Sequence, residues 1–275
     1  MRVLDQLEPK RVFSFFEDLC AIPHGSGNTK AISDYCVKFA HDRGLEVHQD
    51  SLNNVVIVKP ATPGYEAAPT VIVQGHLDMV TEKTPESTIN FLTDGLELMV
   101  DGDFVRAKGT TLGGDDGIAV AMALAVLDSD DLAHPRLECL FTVDEETGMD
   151  GAVGFDASVL EGKRLLNIDS EEEGILTVSC AGGAHAAAHI EMHANECALD
   201  SAEIRISGLK GGHSGAEIDK GRANATITLG RVLQALVDEL EVRIVLAEGG
   251  LKDNAIPNAA RAVLSLIHIS EPTRH

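Results

Sequence analysis

GGDDGIAVAMALAVL, residues 113–127, places two aspartates directly before an apolar run of ten residues. The run is far shorter than the ~20 apolar residues that span a bilayer, so it predicts a buried helix at about 115–128. The stretch TVIVQGHLD (70–78) precedes it and LECLFTV (137–143) follows it, and both are typical of strands. Strands that alternate with a helix favour an α/β fold, with a mostly parallel sheet flanked by helices.

The pattern of apolar residues extends this layer on both sides. Apolar residues recur at helical spacing in three further segments, and three more short apolar runs are typical of strands. The predicted elements are helices at 8–21, 28–43 and near 149–160, and strands at 54–58, 102–109 and 164–169.

Around residue 186 the pattern changes to an alternation of apolar and polar residues. HAAAHIEMHA (185–194), SAEIRISGL (201–209) and ELEVRIVLAEG (239–249) show it, and a helix is predicted to begin near Arg222. Alternation is typical of strands with one solvent-exposed face, so we predict a second, α+β domain with an antiparallel sheet. The predicted domains are 1–185 and 186–264, followed by SLIHISEPTRH (265–275), which resembles a translated adapter and is treated as a non-native tail.

The composition excludes several classes of partner. The chain has 275 residues, with 22 Lys+Arg against 44 Asp+Glu and a net charge of −22. Nucleic acids and anionic membranes bind basic surfaces, so neither is an expected partner. The five cysteines form no CxxC pair and the N-terminus has no uninterrupted apolar signal core, which predicts free thiols and a cytoplasmic protein.

The pair His76 and Asp78 follows the strand at 70–78. Residues two apart on an extended chain point the same way. Asp78 can therefore accept a hydrogen bond from one ring nitrogen of His76 while the other ring nitrogen binds a metal. The pair alone favours a buried histidine whose hydrogen bonds are satisfied over a metal ligand.

Carboxylates recur at three similar places. Glu145 and Glu146 lie at the end of an apolar strand, and both can reach one site if the chain turns at Thr147-Gly148. In that site one glutamate could bind metal and the other could transfer a proton. Asp169 ends the next strand, at the edge where parallel sheets bind ligands. Asp115 lies at a helix N-terminus. Each acid alone also fits a solvated surface loop.

Together these residues form a set of nitrogen and oxygen ligands. One histidine and several acids without a thiolate suit a catalytic zinc, or manganese or cobalt. Asp115 has two oxygens and could bridge two ions, the arrangement that activates water in two-metal hydrolases.

Five motifs in this order resemble the di-zinc metallopeptidase family that includes acetylornithine deacetylase and the tripeptidases, and the detail is most similar to its aminoacyl-histidine dipeptidase branch. The resemblance covers residues 1–264. The motifs are GHLDMV (75–80), GTTLGGDDGIA (109–119), TVDEETGM (142–149), NIDSEEEG (167–174) and GLKGGHSG (208–215).

The resemblance implies a role for each matching residue. It makes 1–185 part of the catalytic domain and 186–264 part of a lid domain through which a full-length form would make a homodimer. The implied roles are His76 and Asp169 on one zinc, Glu146 on the other, Asp115 bridging both, Glu145 as general base, Asp78 orienting, His213 stabilising the oxyanion and Asn254 contacting substrate.

The expected function is hydrolysis of dipeptides, of the Xaa-His type with broad specificity, by water that two zinc ions activate. Two alternatives stay open: a deacylase of N-acyl amino acids with the same centre, and an inactive metal-binding fragment. The resemblance assigns a last metal-ligand histidine to a part that this chain lacks, and His268 and His275 of the tail are not given that role. We therefore expect about one zinc per chain, low solubility and no turnover from the chain as given, and activity from a restored full-length chain.

Overall fold

The computed structural model describes residues 2–170, 172–180, 182, 186–192, 200–215, 217–252 and 255–266. The chain divides into two compact units, Met1–Cys180 and Ala181–His275. The boundary predicted at 185/186 stays a prediction, and most of the tail at 265–275 lies outside the described residues. None of the helices in the described part is both long and apolar enough to cross a membrane.

The first unit contains the predicted helices and strands, with two additional strands. Its helices are α1 (Lys10–Cys20), α2 (Lys30–Asp42), α3 (Gly114–Asp128) and α4 (Asp150–Gly154). Its strands are β1 (Glu46–Gln49), β2 (Val55–Lys59), β3 (Val71–His76), β4 (Leu98–Asp101), β5 (Phe104–Ala107), β6 (Leu137–Thr142) and β7 (Arg164–Asn167). The sequence did not predict β1 or β4.

Five of these strands form one mixed sheet in the order β1-β2-β6-β3-β7. β3 runs parallel to β6 and to β7, with Val73 opposite Cys139 and Leu166. β2 runs antiparallel to β6 and to β1, so the parallel part is confined to β6, β3 and β7. The predicted strand at 102–109 becomes β5, which pairs with β4 in a separate hairpin.

The main core lies between this sheet and helices α1, α2 and α3. Phe16 of α1, Phe39 of α2 and Leu124 of α3 are buried there against Val55 and Phe141 of the sheet. On the opposite face a smaller cluster is buried, made of Val56, Val58, Ile72 and Leu140, against which Phe155 and Leu160 pack. Strands β2, β3 and β6 are therefore covered on both faces, which explains why their sequences are mostly apolar.

Helix α3 is apolar around most of its circumference because it is packed between α1 and β3. Its N-terminal residues Asp115 and Asp116 leave helical geometry, after Gly113 with a φ of 67°. At its C-terminus, the ammonium group of Lys59 donates hydrogen bonds to the main-chain oxygens of Val126 at 3.1 Å and Leu127 at 3.0 Å, and to that of Ser129. A cation is favourable there because a helix C-terminus is partially negative.

The second unit, taken by itself, has the predicted α+β character. Its elements are β8 (Ser201–Ile206), β9 (Gly212–His213), α5 (Ala225–Glu239), β10 (Val242–Gly249), β11 (Ala255–Ile256) and β12 (Ala260–Leu266). β10, β12 and β8 form an antiparallel sheet in that order. Helix α5 begins later than predicted because the Asn224 side chain caps it by accepting a hydrogen bond from Ile227 N. The strand predicted at 185–194 is not formed in its described part, 186–192.

Candidate metal centre

Three strand ends and one helix start bring the predicted site residues of the first unit together. β3 ends at His76, β6 ends just before the segment that carries Glu145 and Glu146, and β7 ends just before Asp169. Because β6, β3 and β7 run parallel, their carboxyl ends lie at the same edge of the sheet. Asp115 reaches this edge from the start of α3. This is the edge at which open α/β sheets bind ligands.

His76 is buried at the middle of this group. Its Nε2 lies 3.0 Å from Asp115 Oδ1 and 3.9 Å from Asp169 Oδ2. Its Nδ1 lies 2.9 Å from the main-chain oxygen of Asp78 and 3.4 Å from Asp78 Oδ1. Asp78 therefore orients the His76 ring through its main-chain carbonyl as well as through its carboxylate, which was the predicted contact. With Nδ1–H directed at residue 78, Nε2 faces the acids.

Asp116 is a site residue that the sequence analysis missed. It is buried, and its Oδ2 accepts a hydrogen bond from His76 N at 3.2 Å. Gly75 permits this approach, because a Cβ atom at that position would lie 2.6 Å from the same oxygen. The signal in the sequence was the second aspartate of GGDDG together with the glycine before His76. Asp116 joins the start of α3 to the end of β3.

The segment after β6 makes the turn that the two glutamates require. Met149 N donates to Asp144 O at 2.9 Å and Gly148 N donates to Glu145 O at 3.1 Å. The Asp78 carboxylate accepts from Glu145 N at 3.1 Å and from Glu146 N at 3.3 Å. Asp78 therefore contacts both His76 and the backbone that carries the acid pair.

The loop between α1 and α2 makes two further contacts, one with Asp78 and one with this turn. Ser26 Oγ donates to Asp78 Oδ2 at 2.8 Å, and Gly27 N donates to Asp144 Oδ1 at 2.6 Å. No site residue was predicted in this loop. Its serine and glycines gave no signal of their own, since such residues are common in turns.

The side chains of this site form two groups that fit a divalent cation. His76, Glu145 and Asp169 make one group, and His76, Asp115 and Glu146 make the other, each with ligand atoms within 4.8 Å of one another. His76 is common to both, whereas the sequence-based assignment gave it to one ion, and Glu145 stands among possible ligands. Three nitrogen and oxygen ligands match the open sites of catalytic zinc. The assignment of individual residues to ligand, bridge and base stays a prediction.

The electrostatics also favour a cation. Burial and the nearby Asp115 raise the pKa of Glu146 to about 7, and burial raises that of Asp116 to about 7. Burial lowers the pKa of His76, but hydrogen bonds to Asp78 and Asp115 and the charges of Asp78 and Asp116 outweigh it and raise the value to about 10. Neighbouring carboxylates also raise both pKa values, Asp115 that of Glu146 and Asp169 with Asp115 that of Asp116, so the acids repel one another and attract positive charge. A cluster of this kind is a functional-site candidate.

The cysteines take no part in these groups. Among the described residues, Cys20, Cys36, Cys139 and Cys180 are free, as predicted, and the first three are buried. The candidate ligands are therefore nitrogen and oxygen atoms alone.

Two site residues were predicted in the second unit, His213 and Asn254. His213 is exposed on β9, where its N donates to Glu217 Oε2 at 3.0 Å and its Nδ1 accepts from Gly215 N at 3.0 Å. Glu217 in turn pairs with Arg222, so the turn that carries His213 is held by an ion pair. Asn254 lies outside the described residues.

Comparisons with known proteins confirm the resemblance that the motifs indicate. The chain is 40% identical over 268 residues to the cytosol non-specific dipeptidase of Escherichia coli K12, covering 97% of this chain and 55% of that protein. It is 38% identical to the aminoacylhistidine dipeptidase of Vibrio alginolyticus, with a TM-score of 0.66 over 96% of this chain and 54% of that structure. The chain thus spans about half the length of these relatives.

Two further similarities concern the fold and the second unit. A tripeptidase structure from Staphylococcus aureus is 20% identical, with a TM-score of 0.52 over 93% of this chain and 66% of that one, and shares the fold. Residues 204–271 match the M20 peptidase dimerisation domain. The predicted fold, a sheet flanked by helices with a second α+β domain, is confirmed.

Proposed function

We propose that this chain carries the metal centre of a dipeptidase that binds two zinc ions and hydrolyses dipeptides of the Xaa-His type with broad specificity. One observation carries the proposal: two groups of ligand atoms, joined by the buried His76, lie at the edge where parallel strands end. The relatives support the substrate class, since one is named a cytosol non-specific dipeptidase and another an aminoacylhistidine dipeptidase.

In this proposal the ligands divide between two ions. His76 and Asp169 would hold one ion, Glu146 would hold the other, and Asp115 would be a ligand of both. When bound, the two cations would lower the pKa of a water molecule and polarise the scissile carbonyl. Manganese and cobalt suit the same nitrogen and oxygen donors.

The acid pair provides a ligand and a proton carrier on adjacent residues. Glu145 acts as the general base, taking a proton from water at a carboxylate oxygen and returning it to the amine of the departing amino acid. Asp78 holds His76 by its carbonyl oxygen and the Glu145–Glu146 backbone by its carboxylate. The base and the ligands are thereby oriented by one buried residue.

The second unit supplies substrate contacts and a partner surface in this proposal. His213 stabilises the oxyanion as the carbonyl is attacked, and Asn254 contacts the substrate. The match to a peptidase dimerisation domain supports a homodimer made through this unit. We also infer a cytoplasmic location, in keeping with the name of the cytosol dipeptidase.

The test combines metal binding with hydrolysis. Zinc titration of the chain against a chromogenic chelator should show binding that Asp115→Ala abolishes. Asp101→Ala, which removes an exposed carboxylate of β4, should bind zinc as the unchanged chain does. Absence of zinc binding by the unchanged chain would contradict the proposal.

Hydrolysis is measured on the complete protein that contains this chain, with dipeptides and N-acyl amino acids offered in parallel. The dipeptides, including Xaa-His, should be hydrolysed. Hydrolysis of the N-acyl amino acids alone would instead identify a deacylase.

A further inference from the structure

We infer that Ser26 is a positioning residue of the metal centre, acting through the buried carboxylate of Asp78. The inference rests on the proposed function, because the groups that Asp78 orients are the proposed ligands and base. Ser26 lies in the loop between α1 and α2, outside the strand and helix ends that supply the acids. None of the described hydrogen bonds of Ser26 reaches a residue proposed to hold metal. Its effect on the metal centre is therefore indirect.

The backbone of this loop gives the Ser26 hydroxyl a defined position. Gly25 bridges to Met79 in parallel fashion, just beyond the end of β3. Met79 N donates to His24 O at 3.2 Å, and Ser26 N donates to Met79 O at 3.3 Å. The loop therefore pairs with the chain directly after Asp78 as a short extra strand would. From there Ser26 Oγ donates to Asp78 Oδ2 at 2.8 Å.

Asp78 depends on this hydroxyl because its carboxylate is fully buried. Oδ1 accepts from Glu145 N at 3.1 Å and lies 3.4 Å from His76 Nδ1. Oδ2 accepts from Ser26 at 2.8 Å and from Glu146 N at 3.3 Å. The Ser26 contact is the shortest of the four. Without it, the described contact that remains to Oδ2 is the long one from Glu146 N.

A buried carboxylate that loses a donor must find another, since leaving it unsatisfied is costly. The described donors that it already contacts are the Glu145 and Glu146 amides and the His76 ring. Rotation of the carboxylate toward any of them moves the segment or ring that carries a proposed ligand. Loss of the Ser26 hydroxyl should therefore alter the metal centre even though Ser26 is not part of it.

The alternative is that Ser26 only stabilises its loop, and a second serine provides the control. Ser33 Oγ donates to Asn53 O at 2.7 Å and accepts from Gln49 Nε2 at 2.7 Å. Ser33 is buried in α2 and has no described bond to the site. Ser33→Ala removes the same hydroxyl chemistry and should lower the melting temperature while leaving metal affinity unchanged.

The experiment measures the affinity of the chain for Co²⁺ by its absorption spectrum and for Zn²⁺ by competition with a chelator. Groups that orient metal ligands typically change metal affinity ~10–100-fold, so Ser26→Ala should weaken binding by about that factor. Ser26→Thr keeps the hydroxyl and should restore binding to within about twofold. In an Asp78→Asn background, Ser26→Ala should cause no further loss, because the residue through which it acts is already changed.

Two results would overturn the inference alone: unchanged affinity in Ser26→Ala, or an equal loss when it is added to Asp78→Asn. A lowered melting temperature with unchanged affinity is the outcome expected of a purely structural serine and also overturns it. If the unchanged chain binds neither ion, the proposed function fails and this inference fails with it.

Discussion

Replacing Lys59 by the similarly shaped methionine should destabilise the first unit by about 2–4 kcal/mol. The ammonium group donates to three main-chain oxygens at the C-terminus of α3. A hydrogen bond from a charged donor contributes about 1.5–3 kcal/mol, and a cation at a helix C-terminus adds about 0.3–1 kcal/mol. Lys59 is partly exposed, so water can replace the donor at some of these oxygens, and we count one such bond plus the helix-dipole interaction.

The loss is measured by thermal unfolding and by hydrogen exchange. For a unit of this size, 2–4 kcal/mol corresponds to a decrease in melting temperature of roughly 4–16 °C. Hydrogen exchange of the α3 amides assigns the loss to this helix, which matters because a chain of two units need not unfold in one step. Lys38→Met is the matched control, since the described side-chain contact of Lys38 is an exposed ion pair with Asp42 along α2.

An exposed ion pair of this kind contributes about 0.3–0.5 kcal/mol, so the control should be nearly neutral. If Lys59→Met costs no more than Lys38→Met, the ammonium group does not stabilise α3 as described. If amide hydrogen exchange becomes faster elsewhere but not in the last turn of α3, the lost stability does not come from that helix end.

Three further predictions concern the site and the second unit. Asp115→Ala should abolish both metal occupancy and hydrolysis in the complete protein, and two ions retained by elemental analysis would exclude a bridging role. Glu145→Gln should keep the metal and lose ~10²–10⁴-fold in rate; if Glu146→Gln keeps the metal and Glu145→Gln loses it, the two roles are reversed. Hydrogen bonds from Lys220 and the backbone lower the pKa of Glu217 from 4.5 to about 2, so its contribution to stability is present above pH 4.5 and is lost as the pH falls toward 2. Glu217→Gln should remove that part of the acid dependence measured by circular dichroism, and an unchanged acid transition would contradict it.

The parts of the fold that could be predicted are those where burial shapes the sequence directly. β3 and β6 are mostly apolar because both of their faces are covered, and α3 is apolar because it is packed between α1 and the sheet. His76 and Asp169 could be placed at one edge because each follows such a run. Local pattern and tertiary position agree at these points.

The parts that could not be predicted depend on contacts between distant segments. β1 reads EVHQ, with no apolar run, and is a strand because Val47 pairs with Ile57 of β2. Asp116 belongs to the site because Gly75 leaves room for it, and Ser26 because its loop pairs beside Met79. Ser26 carries no local signal, since serines near glycines are typical of turns. The second aspartate of GGDDG and the glycine before His76 are a signal for Asp116, but they do not show that the two segments meet.

The mixed pairing of the first sheet has a consequence for the order in which the protein assembles. β1 and β2 join across a short turn, with Gln49 opposite Val55, and a hairpin of this kind forms in about 1–10 μs. The parallel pairs β3–β6 and β3–β7 must instead close long stretches of chain, which is slow because the entropy is lost before the contacts form. His76, Glu145 and Asp169 meet only after both closures. A cation that binds this late-formed edge should therefore slow unfolding and leave the folding rate unchanged.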